Sequence, residues 1–259
     1  MIDRQAALNC YKSCYIAHRG LFDNDKDAPE NTISAFKRAV DAGYGIELDV
    51  QLSRDKRVVV AHDYTLKRIC GEDKFINDLS FPELRSYKIM NSCESIPLLT
   101  DVLQIIDGKV PLIVEIKAEK DYKEVCLLTA EILSAYSGAY CVESFSPYVI
   151  RWFKRNYPSV IRGQLADDFV HKKYFKSKIQ NWVLTNMIFN AVNKPDFIAY
   201  NHHFKNKKCL FFWKKILGCS MAAWTIKSQA ELDNAAGFFD IIIFDSFIPK
   251  ASTGRYYIE

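Results

Sequence analysis

The feature that most narrows the fold is a repeated alternation. Short apolar runs at 14–17, 46–50, 111–117, 139–143, 160–165, 196–200, 220–225 and 240–244 are separated by segments with helical spacing. Strands that alternate with helices imply parallel pairing. Eight such units in 259 residues fit a (β/α)8 TIM barrel. An open doubly wound sheet is the alternative. Residues 1–13 read as a polar lead-in. A helix carrying Ala35, Phe36, Ala39 and Val40 is capped by Asn31 or Thr32 and stopped by Gly43. Later helices are expected at 121–136, 147–156, 204–217 and 228–236, with a mixed segment over 167–194. The chain reads as one domain, 1–259, with a small insertion at 64–109. That insertion offers short helices near Phe81–Tyr87 and Thr100–Ile106, and long insertions in compact domains are usually functional.

The chemistry concentrates in Gly45–Asp63, GIELDVQLSRDKRVVVAHD, which reads as a strand, a tight turn and a returning strand. Residues two apart on a strand share a face. Glu47 and Asp49 therefore point one way, and Ile46, Leu48 and Val50 the other. With Arg54–Arg57 as a four-residue loop, Gln51 lies opposite Val60 and Asp49 opposite His62. Paired side chains sit roughly 5 Å apart at Cβ, and a slip of one residue would turn His62 away. His18, Glu47, Asp49 and Glu115 all fall near the C-terminal ends of their strands, where a barrel builds its active site. His62, on the hairpin, makes a fifth ionisable group at the same mouth.

Composition is ordinary for a globular chain, 49% hydrophobic and 25% charged with a net charge of +4. No basic run is long enough to predict nucleic-acid binding. The eight cysteines form no CxxC pair, and Cys126 and Cys141 read as small core residues. MIDRQAALNCYKSC carries no apolar signal region, and no run reaches a membrane-spanning length. A cytoplasmic protein with reduced thiols is expected.

An ordered set of short motifs runs through nearly the whole chain: HRG (18–20), PENT (29–32), IELDV (46–50), VVVAHD (58–63), VEIK (114–117), ESFSP (143–147), AAWTIKSQAEL (222–232) and DIIIFD (240–245). Together they resemble the glycerophosphodiester phosphodiesterase family. The resemblance implies a TIM barrel with a small insertion after the hairpin that follows the second strand. It implies that Glu47, Asp49 and Glu115 hold one divalent cation, that His18 and His62 are the acid–base pair, and that Arg19 contacts phosphate. Lys117 matches the lysine that follows the third metal carboxylate. The chain departs from the pattern at Asp55-Lys56, where the family's hairpin carries Asp-Gly. It departs again at Trp224-Thr225-Ile226-Lys227 and at Phe244-Asp245-Ser246-Phe247, both on the late-strand rim.

Three carboxylates without a thiol suit a hard ion, Mg2+ or Ca2+. Arg19 offers a two-pronged donor to phosphate and Lys117 a point charge. The expected reaction is metal-dependent hydrolysis of glycerophosphodiesters to glycerol 3-phosphate and an alcohol, through a cyclic phosphate. The alternatives are a lysophospholipase D-like enzyme and a non-catalytic phosphate-binding protein. Glu30 either contacts Arg19 or only sits in a helix's first turn. Phe145 and Trp224 are expected to wall the substrate pocket. His202 and His203 are read as structural or solvated, since adjacent strand residues face oppositely. Lys205–Lys215, KNKKCLFFWKK, reads as a barrel helix with Leu210, Phe211 and Trp213 inward. An interfacial helix making weak membrane or lysolipid contact is the other reading.

Overall fold

The structure, a computed structural model, describes residues 3–117 and 122–250. Nine strands form: β1 (Tyr15–His18), β2 (Gly45–Leu52), β3 (Val58–Val60), β4 (Leu112–Ile116), β5 (Tyr140–Ser144), β6 (Ile161–Ala166), β7 (Phe197–Asn201), β8 (Ser220–Ile226) and β9 (Ile241–Phe244). Without β3 these are the eight strands expected for a (β/α)8 barrel, with helices between them. Contacts divide the chain into two compact units. One runs from Ile16 to Tyr140, and the other joins the residues up to Tyr15 with those from Cys141.

In the Ile16–Tyr140 unit, β2 pairs in parallel with both β1 and β4. Its residues are buried from Gly45 to Gln51, so both of its faces are covered, as parallel strands require. The register sets His18 beside Glu47 and Asp49 beside Glu115. Thr32 caps the helix Ile33–Asp41 by accepting from the Ala35 amide. Of the two expected caps it is Thr32 that serves, because Asn31 is left-handed (φ 57°) and turns its side chain to Asp49.

The hairpin differs from expectation by one residue. Gln51 pairs with Val59 and Leu52 with Val58. The loop is Arg54–Lys56, closed by Ser53 N–H to Arg57 O at 3.0 Å and Lys56 N–H to Ser53 O at 3.0 Å. Three-residue hairpin loops need a left-handed last residue. Lys56 supplies it at φ 62°. Asp49 therefore bonds across to Ala61, whose N–H reaches Asp49 O at 3.0 Å, and not to His62.

Segment 64–109 contains the expected helices as Phe81–Ser86 and Leu99–Ile106. It adds a turn of helix at Lys67–Cys70 and a 3-10 turn at Ile76–Asp78. Leu66, Ile69, Ile76, Leu84, Ile89 and Ile96 pack there against Val59 of β3.

In the other unit β5 to β9 pair in parallel in chain order. The helix Pro147–Asn156 spans the range expected for it, and Ser228 caps Gln229–Ala235. The first-unit helix expected over 121–136 is Tyr122–Ser134, position 121 lying outside the described residues. The lead-in is not merely polar. It forms helices Arg4–Ala7 and Asn9–Ser13, because Asp3 caps the first and Leu8 and Tyr11, three apart, are fully buried. Residues 1–2 lie outside the described residues.

The expected helix 204–217 is also broken. A 3-10 turn (His202–Phe204), a short α-helix (Lys208–Phe211) and a π-helical turn (Phe212–Ile216) replace it. Phe211 precedes the π turn, and at 3.6 residues per turn it stands about 100° round the helix from Leu210. Leu210 is buried and Trp213 half-buried, but Phe211 is 57% exposed, contrary to its expected inward position. All eight cysteines are unpaired, and Cys126 and Cys141 are buried as expected. Among the described residues no helix is long and apolar enough to cross a membrane.

Gly20 follows His18 and Arg19 in a left-handed turn at φ 83°. A Cβ there would lie 2.9 Å from the Ala35 backbone carbon. Gly20→Ala therefore meets both a conformational penalty and a backbone clash. It is expected to destabilise by about 2 kcal/mol or more, read as a lowered urea midpoint at unchanged m-value.

Candidate active site

Glu47 and Asp49 leave one face of β2, and Glu115 stands beside Asp49 on β4. All three are buried, and one carboxylate oxygen from each lies within 4.8 Å of the others. Buried anions this close need positive charge. Lys117, one residue beyond β4, supplies it. Its Nζ lies 2.8 Å from Asp49 Oδ1 and 2.8 Å from Glu115 Oε1. Burial opposes ionisation of Asp49, but Lys117, His62 and Arg19 outweigh it and hold that carboxyl well below the usual range. Glu115 is less well served. Burial pushes its carboxyl up to about 7, Lys117 opposing and Asp49 adding to the rise.

The donor set fits a hard divalent cation: three carboxylate oxygens and no sulfur. Asp49 Oδ1 is buried and receives no aligned hydrogen bond, although Lys117 stands beside it.

Arg19 sits in the left-handed region (φ 59°) directly after β1. That turn aims its backbone N–H at Glu47 Oε2 (3.1 Å) and its guanidinium at Glu30 Oε1 (2.7 Å) and Asp49 Oδ2 (3.5 Å). Glu30 thus contacts Arg19 directly. His18 Nε2 lies 3.9 Å from Glu47 Oε2.

His62 reaches the site by a route the strand pattern does not contain. β3 ends at Val60, and the chain then bends away from the ladder, so the one-residue slip does not decide where His62 points. Gln51 Nε2 donates to Ala61 O and to Asp63 O, both at 2.8 Å, and so clamps the backbone on either side of His62. Asp63 Oδ1 lies 2.6 Å from His62 Nδ1. Burial raises the Asp63 carboxyl, but Arg68 and His62 bring it below its ordinary value. An ionised carboxylate only accepts, so Nδ1 carries the hydrogen and Nε2 is left free to exchange protons. Burial lowers the His62 pKa; Asp49 opposes this, and Lys117 and Arg19 add to it.

Four contributors were not singled out by sequence reasoning. Arg68, from segment 64–109, donates to both Glu30 oxygens (2.7 and 2.8 Å) and to Asp63 Oδ2 (2.6 Å). Asn31 Nδ2 donates to Asp49 Oδ2 at 2.9 Å. Gln51 and Asp63 complete the set. Asp63 and Asn31 stand within motifs already quoted, whereas nothing in the spacing of Arg68 marks it. Phe145, just after β5, and Trp224, on β8, are half-exposed and pack edge to face with ring centroids 5.4 Å apart. The structure describes them within their own unit.

The family model described as the glycerophosphoryl diester phosphodiesterase family matches residues 18–245. The chain belongs to that family. It is 41% identical over 249 residues to a glycerophosphodiester phosphodiesterase of Caldanaerobacter subterraneus subsp. tengcongensis, spanning 90% of this chain and 95% of that one. A human lysophospholipase D is 33% identical over 124 residues, 43% of this chain and 38% of that protein. Two solved structures share the fold. An Oleispira antarctica phosphodiesterase in complex with the product sn-glycerol-3-phosphate superposes with a TM-score of 0.75 at 21% identity, over 92% of this chain and 95% of that one. A glycerophosphodiester phosphodiesterase of Thermotoga maritima gives 0.70 at 24% identity, over 90% and 94%.

The fold is the (β/α)8 barrel expected, and membership makes the chain an enzyme, a phosphoric diester hydrolase. Its departures from the family motifs have local consequences. Lys56 carries the hairpin's left-handed residue, and Lys227 lies 3.9 Å from Asp245.

The Arg19–Glu30–Arg68 junction has a pH signature. Burial raises the Glu30 carboxyl, but Arg68 and Arg19 reverse this and bring it from 4.5 down to about 2. A lowered folded-state pKa stabilises above the unfolded value and loses that stabilisation as pH falls through the folded one. Glu30 should therefore contribute about 3 kcal/mol at neutral pH, lost between about pH 4.5 and about pH 2. Glu30→Gln is expected to lower stability at pH 7 and to flatten the acid limb of urea-derived stability in that window.

Proposed function

We propose that this enzyme hydrolyses glycerophosphodiesters to glycerol 3-phosphate and an alcohol, as one domain with insertion 64–109. The observation that carries the reading is the convergence of Glu47, Asp49, Glu115, His18 and His62 around Arg19 and Lys117. Glu47, Asp49 and Glu115 would hold one divalent cation, Mg2+ or Ca2+. When bound, that ion polarises a phosphoryl oxygen and neutralises developing charge. Arg19 and Lys117 add positive charge for a phosphodiester anion.

The histidines divide the proton work. One takes the proton from the neighbouring glycerol hydroxyl, whose oxygen attacks phosphorus. The bond from phosphorus to the head-group oxygen breaks, and the other histidine protonates that oxygen. The five-membered cyclic phosphate is then opened by water. Asp63 holds the His62 tautomer throughout, and Gln51 holds its backbone. Phe145 and Trp224 are assigned to substrate contact, which Trp224→Ala would show as a raised KM. A cytoplasmic location belongs to the same reading and is supported by the eight unpaired cysteines.

His18→Ala and His62→Ala are each expected to lower kcat at least about a hundredfold. Chelation should abolish turnover, and Mg2+ or Ca2+ should restore it. Phosphorus NMR should show a transient cyclic phosphate. Equal turnover of diesters that lack the vicinal hydroxyl, or full activity after chelation, would defeat the mechanism.

A lipid-directed substrate is a second reading, favoured by one observation. Phe211, Phe212, Ile216 and Leu217 are exposed, as are Trp182, Phe189 and Val192 on a neighbouring segment. The two segments touch, since Trp213 Nε1 donates to Asn186 O at 3.4 Å. Exposed Lys208 and Lys215 flank the aromatics, a pattern suited to an anionic interface. Co-sedimentation with phosphatidylglycerol vesicles, weakened by salt and lost in Phe211→Ser/Phe212→Ser, is the expected result. Absence of binding to such vesicles removes this reading and leaves the soluble-substrate one intact.

A further inference from the structure

The unit that carries β5 to β9 holds another cluster of ligating side chains. β7 ends at Asn201, and His202–Phe204 is a 3-10 turn. Adjacent side chains are sent to opposite faces only while the chain remains a strand. In the turn the His202 and His203 rings come together, with centroids 4.0 Å apart. Glu231, in the first turn of helix Gln229–Ala235, brings Oε2 to 3.6 Å from His202 Nε2. One ligating atom from each of His202, His203 and Glu231 lies within 4.8 Å of the other two.

His202 is 3% exposed, and its Nε2 has no hydrogen-bond partner among the described residues. The ring does bond the backbone of Thr225, so that bond is made by Nδ1. An Nδ1–H given to a backbone carbonyl leaves Nε2 with its lone pair outward, the usual arrangement of a metal-binding imidazole. Here the lone pair faces a carboxylate oxygen, acceptor against acceptor. Glu231 Oε2 is also held in place, accepting from the Lys227 amide at 2.6 Å. A cation between the two groups turns an unfavourable contact into two bonds.

We propose that His202, His203 and Glu231 form a second metal site, for Zn2+ or a similar transition ion. Two imidazole nitrogens and one carboxylate oxygen suit such an ion, whereas Mg2+ and Ca2+ select oxygen. The ion ties the turn after β7 to the helix after β8. Exposed His203 gives it an entry path, and a fourth position is left for water.

The test is titration of the full-length protein, kept in excess Mg2+, with Zn2+ by calorimetry and with Co2+ by visible absorption. Wild type is expected to take up an equivalent of Zn2+ that His203→Ala and Glu231→Gln lose, with affinity down about 100-fold or more. His203 is exposed, so His203→Ala keeps its far-ultraviolet circular dichroism. Zn2+ should raise the Tm of wild type and not of either variant, and the Co2+ complex should show ligand-field bands of a low-coordinate, imidazole-bearing site. Equal uptake by wild type and both variants, or no uptake beyond that of the variants, overturns the proposal.

Discussion

Three carboxylates buried side by side cannot all remain charged unless cations stand next to them. That requirement organises the Ile16–Tyr140 unit. The parallel register of β1, β2 and β4 places the acids together, and the residues that answer them lie just past the strand ends. Lys117 is bound between Asp49 and Glu115, and Arg19 is bent into a left-handed conformation to face Asp49 and Glu30. The supply falls short at Glu115, whose carboxyl rises to about 7. A site with that imbalance is ready for a further positive charge.

The segment after the hairpin serves the same site by a longer route. Its small apolar cluster packs on β3 and fixes the helix Lys67–Cys70. Arg68 on that helix grips Glu30 with two nitrogens and Asp63 with a third. Asp63 orients His62, and Glu30 orients Arg19. His62 and Arg19 are thereby oriented by one junction, in which Glu30 is buried and Arg68 reaches the surface. Bidentate pairing of this kind gives geometric precision as well as energy.

A common thread joins the places where chemistry gathers. Arg19 follows β1, His62 follows β3, Lys117 follows β4 and His202 follows β7. At each point the chain leaves the ladder, and the rule that successive side chains alternate no longer applies. This is why the hairpin slip did not carry His62 away, and why two adjacent histidines face the same carboxylate. Phe211 is a different case: on a regular helix it already stands about 100° round from buried Leu210, and it faces outward.

The linear chain determined the eight strands, the spacing that sets Glu47 and Asp49 on one face, and a cap at Asn31 or Thr32 for the helix Ile33–Asp41. These follow from local rules: side-chain period, capping chemistry and apolar patterning. Only the tertiary structure decided the three-residue hairpin loop, the clamp of Gln51 on both sides of His62, and the grip of Arg68 on Glu30 and Asp63. Each of these depends on where a chain goes after its regular element ends. That path is set by buried charges and backbone groups finding partners many residues away, which no local period encodes.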